Sequence, residues 1–566
     1  MTERENEGQL SAADVIIRQL SALGIDYFFA NGGTDFPPIV EAYSRAATEG
    51  ATVPKPLIVT HENAAVAMAH GVYLATGRPQ AVMVHVNVGT ANTVNALLDA
   101  ARDNVPVLLL AGRSPYSETG RLGTRSQHIH WAQEMFDQAG LVREATKWEY
   151  ELHIPEQAAD VVTRALEVAT ASPAGPVYLT LPRDILALPA ADALDTPRRA
   201  RAASPSPDLA SLEGLAELIA AADHPLIVTA NAGRTREGFD ALSRFAERFS
   251  VPVVSFHPRY ACLSTDHPMH LGFLSGPQVA KADLIIVLEC DVPWIPSLDT
   301  LRPDAKVVHI GEDPSFVRYP MRSFPMDMAI RATPAAALDA LAVLLDRRPD
   351  IASAAMQRRE RLAEPWAALR RNWAAMARIE DETMTADHVS RVLGELLPPE
   401  AVVVNEYTLR PPQLPRSLPG TFFGLSPSGG LGWGLGAALG IKLAQPEKLV
   451  VATLGDGAYM FANPTACHWT AQMYDLPVLS IIFNNQLYGA VRNSTMAMYK
   501  DGAAASIGGT MLADLSPAPD FEKLVEASGG HGQRVERASE LRAALEKAIE
   551  VVTVERRQAL VNVLIA

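Results

Sequence analysis

Cysteine is scarce in this chain: three among 566 residues, Cys262, Cys290 and Cys467. They are widely spaced in apolar or helical contexts, which argues against a disulfide framework or a zinc site and for buried thiols in a reducing compartment. Positive charge is in deficit, with 49 Lys and Arg against 64 Asp and Glu and a net charge of −15. Nucleic acid or an anionic membrane would want a basic face, so neither is expected as a partner. No apolar run approaches the roughly 18 residues of a membrane span. The opening residues, MTERENEGQL, are charged and lack the apolar stretch of a signal peptide. These absences predict a cytoplasmic protein. Low-complexity tracts and short-period repeats are missing too, and the 48% apolar content is that of a globular chain.

What is present is alternation. Strand-like apolar runs alternate with helical patterns, the signature of parallel α/β architecture. Ser11 and Asp14 read as a helix start, Ile16, Leu20 and Leu23 share its face, and Gly24 ends it. Strands are expected at 26–30, 57–60, 80–85, 105–111 and 176–181. The stretch "LPAADALDTPRRARAASPSPD" has no sustained period and reads as a linker. A second α/β region opens with "HPLIVTANAG" and runs through "VPVVSF", "ADLIIVLEC" and "AKVVHIG". Residues 346–385 read as a charged helical connector. A third region has strands at 402–405, 449–454, 477–483 and 560–565. The chain is too long for one core, and three α/β domains are expected, at 1–186, 208–345 and 384–566, each within the usual size range.

Chemistry concentrates in "EKLVVATLGDG" and "IIFNN". The first is an apolar strand ending in Gly455-Asp456-Gly457, and in open parallel sheets ligands bind beyond the carboxyl ends of strands. Twenty-six residues separate Gly457 from Asn484, enough for a helix and a return strand that brings the asparagines beside Asp456. A carboxylate, an amide oxygen and a loop carbonyl converging on one point suit Mg²⁺, whose coordination is commonly completed by phosphate oxygens. The rival reading is a dinucleotide fingerprint, because "GLGWGLGAALG" precedes Asp456 at a ribose-binding distance. However, the residues before it, "FFGLSPS", make a poor strand. The glycines then continue at helical spacing, which favours close helix–sheet packing over a nicotinamide site.

With these motifs the chain resembles the thiamine-diphosphate-dependent decarboxylase and carboligase family, which includes benzoylformate decarboxylase, acetolactate synthase and benzaldehyde lyase. The resemblance spans nearly the whole sequence. It implies three doubly wound parallel-sheet domains: pyrimidine-binding, middle and diphosphate-binding. It implies thiamine diphosphate and Mg²⁺ as cofactors, held between the first domain of one subunit and the third of another, hence a dimer or a tetramer. By this resemblance Asp456, Asn485 and the Leu487 carbonyl bind the metal. Gly457 and Ala458 meet the diphosphate, with Gly455 and Thr408 beside them, and Leu431 is the apolar wedge beneath the cofactor. Glu62, in "HENAAVAMAHGVYLATG", is the acid that engages the aminopyrimidine and promotes loss of the thiazolium proton.

Three positions bear on the reaction. His85 follows Glu62 by twenty-three residues, where benzoylformate decarboxylase has a catalytic histidine, and an imidazole can return a proton after decarboxylation. Gln133, in "IHWAQEMFDQAG", falls where benzaldehyde lyase and acetolactate synthase place an active-site glutamine. Thr34, in "NGGTDF", matches a carboxylate-orienting serine, while Asp35 beside it reads as a turn residue. His128 and His130 either line the pocket or cover the surface. The decarboxylase's second histidine has no counterpart, and "ECDVPWIPSL" offers Trp294 instead. Asn493 and Ser494 replace bulky aromatics, which alters the phenyl pocket, and "NSTMAMYKDGAAASIGGTM" has the look of a mobile lid. The arginine and paired aspartates of a flavin site are not evident, so tightly bound FAD is not expected. The first expectation is non-oxidative decarboxylation of a 2-oxo acid, with carboligation as a second outcome. The alternative is an acetolactate-synthase-like carboligase or acyloin lyase. A nicotinamide oxidoreductase and a catalytically idle paralogue are the readings from other classes.

Overall fold

The computed structural model describes residues 9–190 and 202–566. The first sheet contains Tyr27–Asn31 (β1), Lys55–Ile58 (β2), Gln80–Val84 (β3), Val107–Arg113 (β4), Glu149–Glu151 (β5) and Val177–Pro182 (β6). The second contains Pro225–Thr229 (β7), Val253–Ser255 (β8), Leu284–Leu288 (β9), Lys306–Gly311 (β10) and Met328–Arg331 (β11). The third contains Val402–Glu406 (β12), Phe422–Gly424 (β13), Val450–Gly455 (β14), Leu479–Asn484 (β15), His531–Val535 (β16) and Ala559–Leu564 (β17). Every pairing among these named strands is parallel.

The first sheet has the order β2-β1-β3-β4-β6-β5 and the third β13-β12-β14-β15-β17-β16. These are the same permutation, so the outer domains repeat one topology. In each, the chain leaves its first strand toward one edge and returns to build the other side. The reversal opens a crevice at the carboxyl ends of β1 and β3 in the first sheet and of β12 and β14 in the third. The middle sheet, β11-β10-β9-β7-β8, reverses between β7 and β9.

Expected strands lie within about two residues of those observed, and the Ser11–Asp14 capping box closes the first helix. Strands β5, β11 and β16 escaped the sequence pattern. "FFG", dismissed as a poor strand, is β13, a three-residue edge strand whose pairing with β12 forms it. The expected linker lies largely at 191–201, outside the described residues. The connector contains the helix Ile351–Met376. No helix among the described residues is long and apolar enough to cross a membrane. All three cysteines are buried and unpaired.

Two contacts between domains position the site. Helix Glu62–Thr76 packs against helix Gly434–Ala444 through small residues: a Cβ on Gly436 would sit 2.7 Å from that of Ala67, and one on Gly71 or Gly440 would overlap the facing backbone. The expected helix–sheet role for these glycines is therefore corrected to a helix–helix role across domains, since only a bare Cα allows this approach. Buried Arg259 of the middle domain lies between Asp291, at 2.5 Å, and Asp103 of the first domain, at 3.3 Å, while the Tyr319 hydroxyl donates to Asp291. A buried ion pair supplied with further hydrogen bonds fixes geometry more than it adds stability.

Candidate active site

The first crevice gathers four of the expected side chains with one that sequence reasoning undervalued. β1 delivers Asn31-Gly32-Gly33-Thr34-Asp35, and β3 delivers His85. Asp35, expected as a turn residue, is 3% exposed and faces His85 Nδ1 at 2.5 Å. Its other oxygen accepts the Val86 N–H at 3.3 Å, where Val86 adopts φ 34°. Two glycines make room: a Cβ on Gly33 would overlap the His85 ring, and one on Gly112 would overlap the Asp35 carboxylate. The Asp35 hydrogen bond lifts the imidazole above its ordinary value, opposed by burial and aided by the charges of Asp35 and Glu62. Gln133 reaches the opposite ring nitrogen, with its Nε2 3.2 Å from His85 Nε2.

Thr34 and His130 form the adjoining wall, Thr34 Oγ1 lying 3.3 Å from His130 Nε2. The Ser126 N–H donates to His130 Nδ1, so the ring's proton sits on Nε2, and burial with the nearby Arg183 and Arg125 charges keeps this imidazole below its ordinary value. His128 is exposed. Arg183, missed in the sequence, donates to the Thr34 carbonyl at 2.9 Å and to the carbonyls of Gly123 and Thr124, tying the β1 turn to the loop above it. Glu62 is 8% exposed at the start of its helix and accepts the Asn92 side-chain amide at 3.0 Å. Trp294 does not replace the absent histidine: it is 1% exposed and packs edge-on against Phe324 inside the middle domain.

The second crevice holds the other set. Glu406 pairs in register with Leu454 and Gly455 with Phe483, so β12, β14 and β15 end side by side. Asp456, 5% exposed, accepts the Gly457 N–H on Oδ1 at 2.7 Å, while its buried Oδ2 has no hydrogen-bond partner. Burial pushes this carboxyl upward against the pull of N–H groups at 457 and 485–487. Asn485 Oδ1 accepts the Leu487 N–H at 3.1 Å, and Gln486, at φ 52°, folds this loop back. A Cβ on Gly457 would stand 2.7 Å from the Tyr488 ring. Tyr407 and Thr408 both have left-handed backbones, φ 61° and 77°, strain that clusters at functional loops. The Thr408 hydroxyl lies 3.3 Å from where a Cβ on Gly455 would stand.

Leu431 rides a loop pinned from below by two buried carboxylates. Glu406 accepts the N–H groups of Gly432 and Gly434, and Asp99 of the first domain accepts Gly430 N–H at 3.1 Å and the Ser428 hydroxyl. Burial raises Glu406 to about 7 and Asp99 to about 8. Asn95 fixes the Leu431 carbonyl at 2.9 Å. The orphaned Asp456 oxygen, with an amide oxygen and a loop carbonyl on the neighbouring strand end, is a donor set of hard oxygens that fits Mg²⁺. The expected lid is folded as helices Gly489–Met498 and Ala503–Ser506, with Asn493 and Ser494 exposed on the first. A cleft of about 580 Å³ at the middle-sheet reversal is lined in part by Asn231, Arg234, Glu289 and Glu312.

Comparison with known proteins decides the family. The N-terminal, central and C-terminal domains of thiamine pyrophosphate enzymes match residues 10–141, 212–341 and 412–563. The chain belongs to the thiamine pyrophosphate enzyme family. Among relatives of this enzyme, benzoylformate decarboxylase of Pseudomonas aeruginosa is 28% identical over 83% of this chain and 85% of its own. Acetolactate synthase isozyme 3 large subunit of Escherichia coli is 25% identical over 96% and 93%. Two solved structures share the fold of this thiamine pyrophosphate enzyme. The 4-hydroxybenzoylformate decarboxylase of Rhodococcus jostii has TM-score 0.78 and 22% identity, covering 98% of this chain and 99% of that one. Benzoylformate decarboxylase of Polynucleobacter necessarius has TM-score 0.79 and 21% identity over the same shares.

Proposed function

We propose that this thiamine-diphosphate-dependent enzyme catalyses the non-oxidative decarboxylation of a 2-oxo acid, with carboligation of the remaining acyl unit as a second outcome. The observation that carries this reading is the pair of buried Asp35 and half-buried His85 at the first crevice, which supports an imidazole able to protonate a substrate carbon there.

Thiamine diphosphate, when bound, supplies the electron sink for the pair left as the C–C bond breaks. Asp456, Asn485 and the Leu487 carbonyl would hold Mg²⁺, and Gly455, Gly457, Ala458 and Thr408 would hold the diphosphate. Leu431, on its pinned loop, supports the cofactor from beneath. Glu62, oriented by Asn92, would share a proton with the aminopyrimidine. Thr34 orients the substrate carboxylate, with His130 steadying the hydroxyl, and His85 donates from Nε2 to the carbon that has lost CO₂. The two crevices belong to different domains, and two copies of the chain complete each site, giving a dimer or tetramer of cytoplasmic protein.

A second reading, an acetolactate-synthase-like carboligase or acyloin lyase, is favoured by Gln133, whose amide meets His85 where a substrate hydroxyl could replace it, and by the burial of Trp294. A screen of 2-oxo acids and acyloins with added cofactor and Mg²⁺, following CO₂ and aldehyde, separates the two. Decarboxylation releases CO₂ from a 2-oxo acid together with the neutral aldehyde, whose carbonyl carbon carries the added proton. Aldehyde release from acyloins alone would favour the second reading.

A further inference from the structure

We infer that Asp35 is a positioning residue that holds His85 as an Nε2–H proton donor; this inference rests on the decarboxylase reading above. The geometry leaves the pair little freedom. Asp35 occupies Nδ1 at 2.5 Å, and its second oxygen is committed to Val86 N–H, so the carboxylate cannot rotate away without losing both. The ring is flanked by Gly33 and the carboxylate by Gly112, and at neither position is there space for a Cβ. The Asp35 hydrogen bond favours the charged form of the imidazole.

The surrounding charges have other employment. Arg183 spends its guanidinium on the carbonyls of Thr34, Gly123 and Thr124, and Arg113 on Glu151 and the Met135 carbonyl. His130 carries its proton toward Thr34. Glu62 adds negative charge from the helix beside the pair and accepts from Asn92. Asp35 is the one carboxylate bonded to His85 among the described residues.

The proton arithmetic closes. With Asp35 ionised, the imidazolium carries hydrogens on both nitrogens. It gives the Nε2 proton to the substrate carbanion after CO₂ departs, and remains neutral with Nδ1–H on Asp35. Water restores the Nε2 proton before the next turnover. Gln133 can accept from Nε2–H in the resting site by presenting Oε1 in place of Nε2, since its two amide ends exchange by a half-turn. His85 then gives that proton to substrate.

The test has two arms. In cofactor-free protein, the rate of ethoxyformylation at His85, followed by peptide mass mapping, reads the neutral imidazole fraction without catalysis. Its pH midpoint is expected above the ordinary value of about 6.5 in the natural chain, and about one to three pH units lower in Asp35→Asn. Asp35→Ser, smaller and uncharged, repeats the test should the asparagine disturb folding. In holoenzyme, the pH at which kcat for decarboxylation declines should move down with the same substitution, with KM changed by less than about threefold. A natural-chain midpoint at or below 6.5, or one unmoved in both variants, overturns the inference. A shifted midpoint with no decarboxylase activity in any form would instead leave the pair intact and refute the reaction assigned to it.

Discussion

Asn92 gives its side-chain amide to Oε2 of Glu62 at 3.0 Å, binding the start of one helix to the middle of the next and fixing the direction in which the carboxyl faces. A carboxyl that must share a proton with a ring nitrogen gains from being held still, because orientation is part of the barrier. Glu62→Gln keeps the shape and removes the acid. Turnover should fall by a factor on the order of 100 or more, while cofactor binding measured by titration stays within a few-fold. Asn92→Ala, which frees the carboxyl without removing it, should cost about tenfold, the size of one charge-assisted hydrogen bond. Substantial activity in Glu62→Gln would contradict the role given to the acid.

His85→Ala separates reactions that share a cofactor but differ in their proton needs. Decarboxylation to an aldehyde ends with protonation of a carbon, whereas carboligation joins that carbon to an acceptor aldehyde and places the proton on oxygen. The substitution should reduce aldehyde release from a 2-oxo acid at least about tenfold more than carboligation with an added acceptor aldehyde, within the usual range for a lost general acid. Assaying both on one preparation gives the ratio, and an unchanged ratio would count against the decarboxylase reading.

Gly33→Ala adds one methyl group where the His85 ring lies. Neither the β1 turn, held by Arg183, nor the ring, held by Asp35, can move without breaking a buried bond. Overpacking of this kind costs about 1–3 kcal/mol. A thermal melt should show a midpoint lowered by a few degrees together with loss of decarboxylation. An alanine variant as stable and active as the natural chain would mean that the pair has slack that its geometry does not reveal.

Asp99 links stability to pH. Burial lifts its carboxyl to about 8, relieved in part by the Ser428 and Gly430 hydrogen bonds. Its unfolded value is about 3.9, so between those limits the folded chain holds the proton and the unfolded chain does not. The contribution is therefore full below about pH 4 and drains away as pH rises through about 8. Glu406, raised to about 7 on the other side of the same loop, acts in the same sense. The melting midpoint should decline from pH 6 to 9, and Asp99→Asn should flatten that decline. A variant with the same slope would show that the loop does not sense this carboxyl.

The outer crevices were legible where chemistry follows directly on an apolar strand. Asp456 and Asn485 stand at the ends of strands that the hydrophobic pattern marks, as does His85, and a parallel crossover of fixed length brings such ends together. Asp35 was not legible as a partner, because it lies fifty residues from His85 and meets it only once β1 and β3 are known to be neighbours. The same holds for Asp99, which reaches the Leu431 loop across a domain boundary. Strands such as Phe422–Gly424 are too short to carry a period, and polar "HGQRV" becomes β16 through its pairing with β17. Trp294 misled because an aromatic beside a strand end has no direction in a sequence, and here it turns inward.

The proposed chemistry needs a cation held by Asp456 and its neighbours on β15, with a diphosphate bound through it. Calorimetric titration of thiamine diphosphate into the dialysed protein, with and without Mg²⁺, tests this directly. Binding should require the cation, vanish in excess chelator, and weaken at least about 100-fold in Asp456→Ala, about 2.7 kcal/mol, while thermal stability stays close to that of the natural chain. Tight binding in chelator, or undiminished affinity in Asp456→Ala, would contradict it.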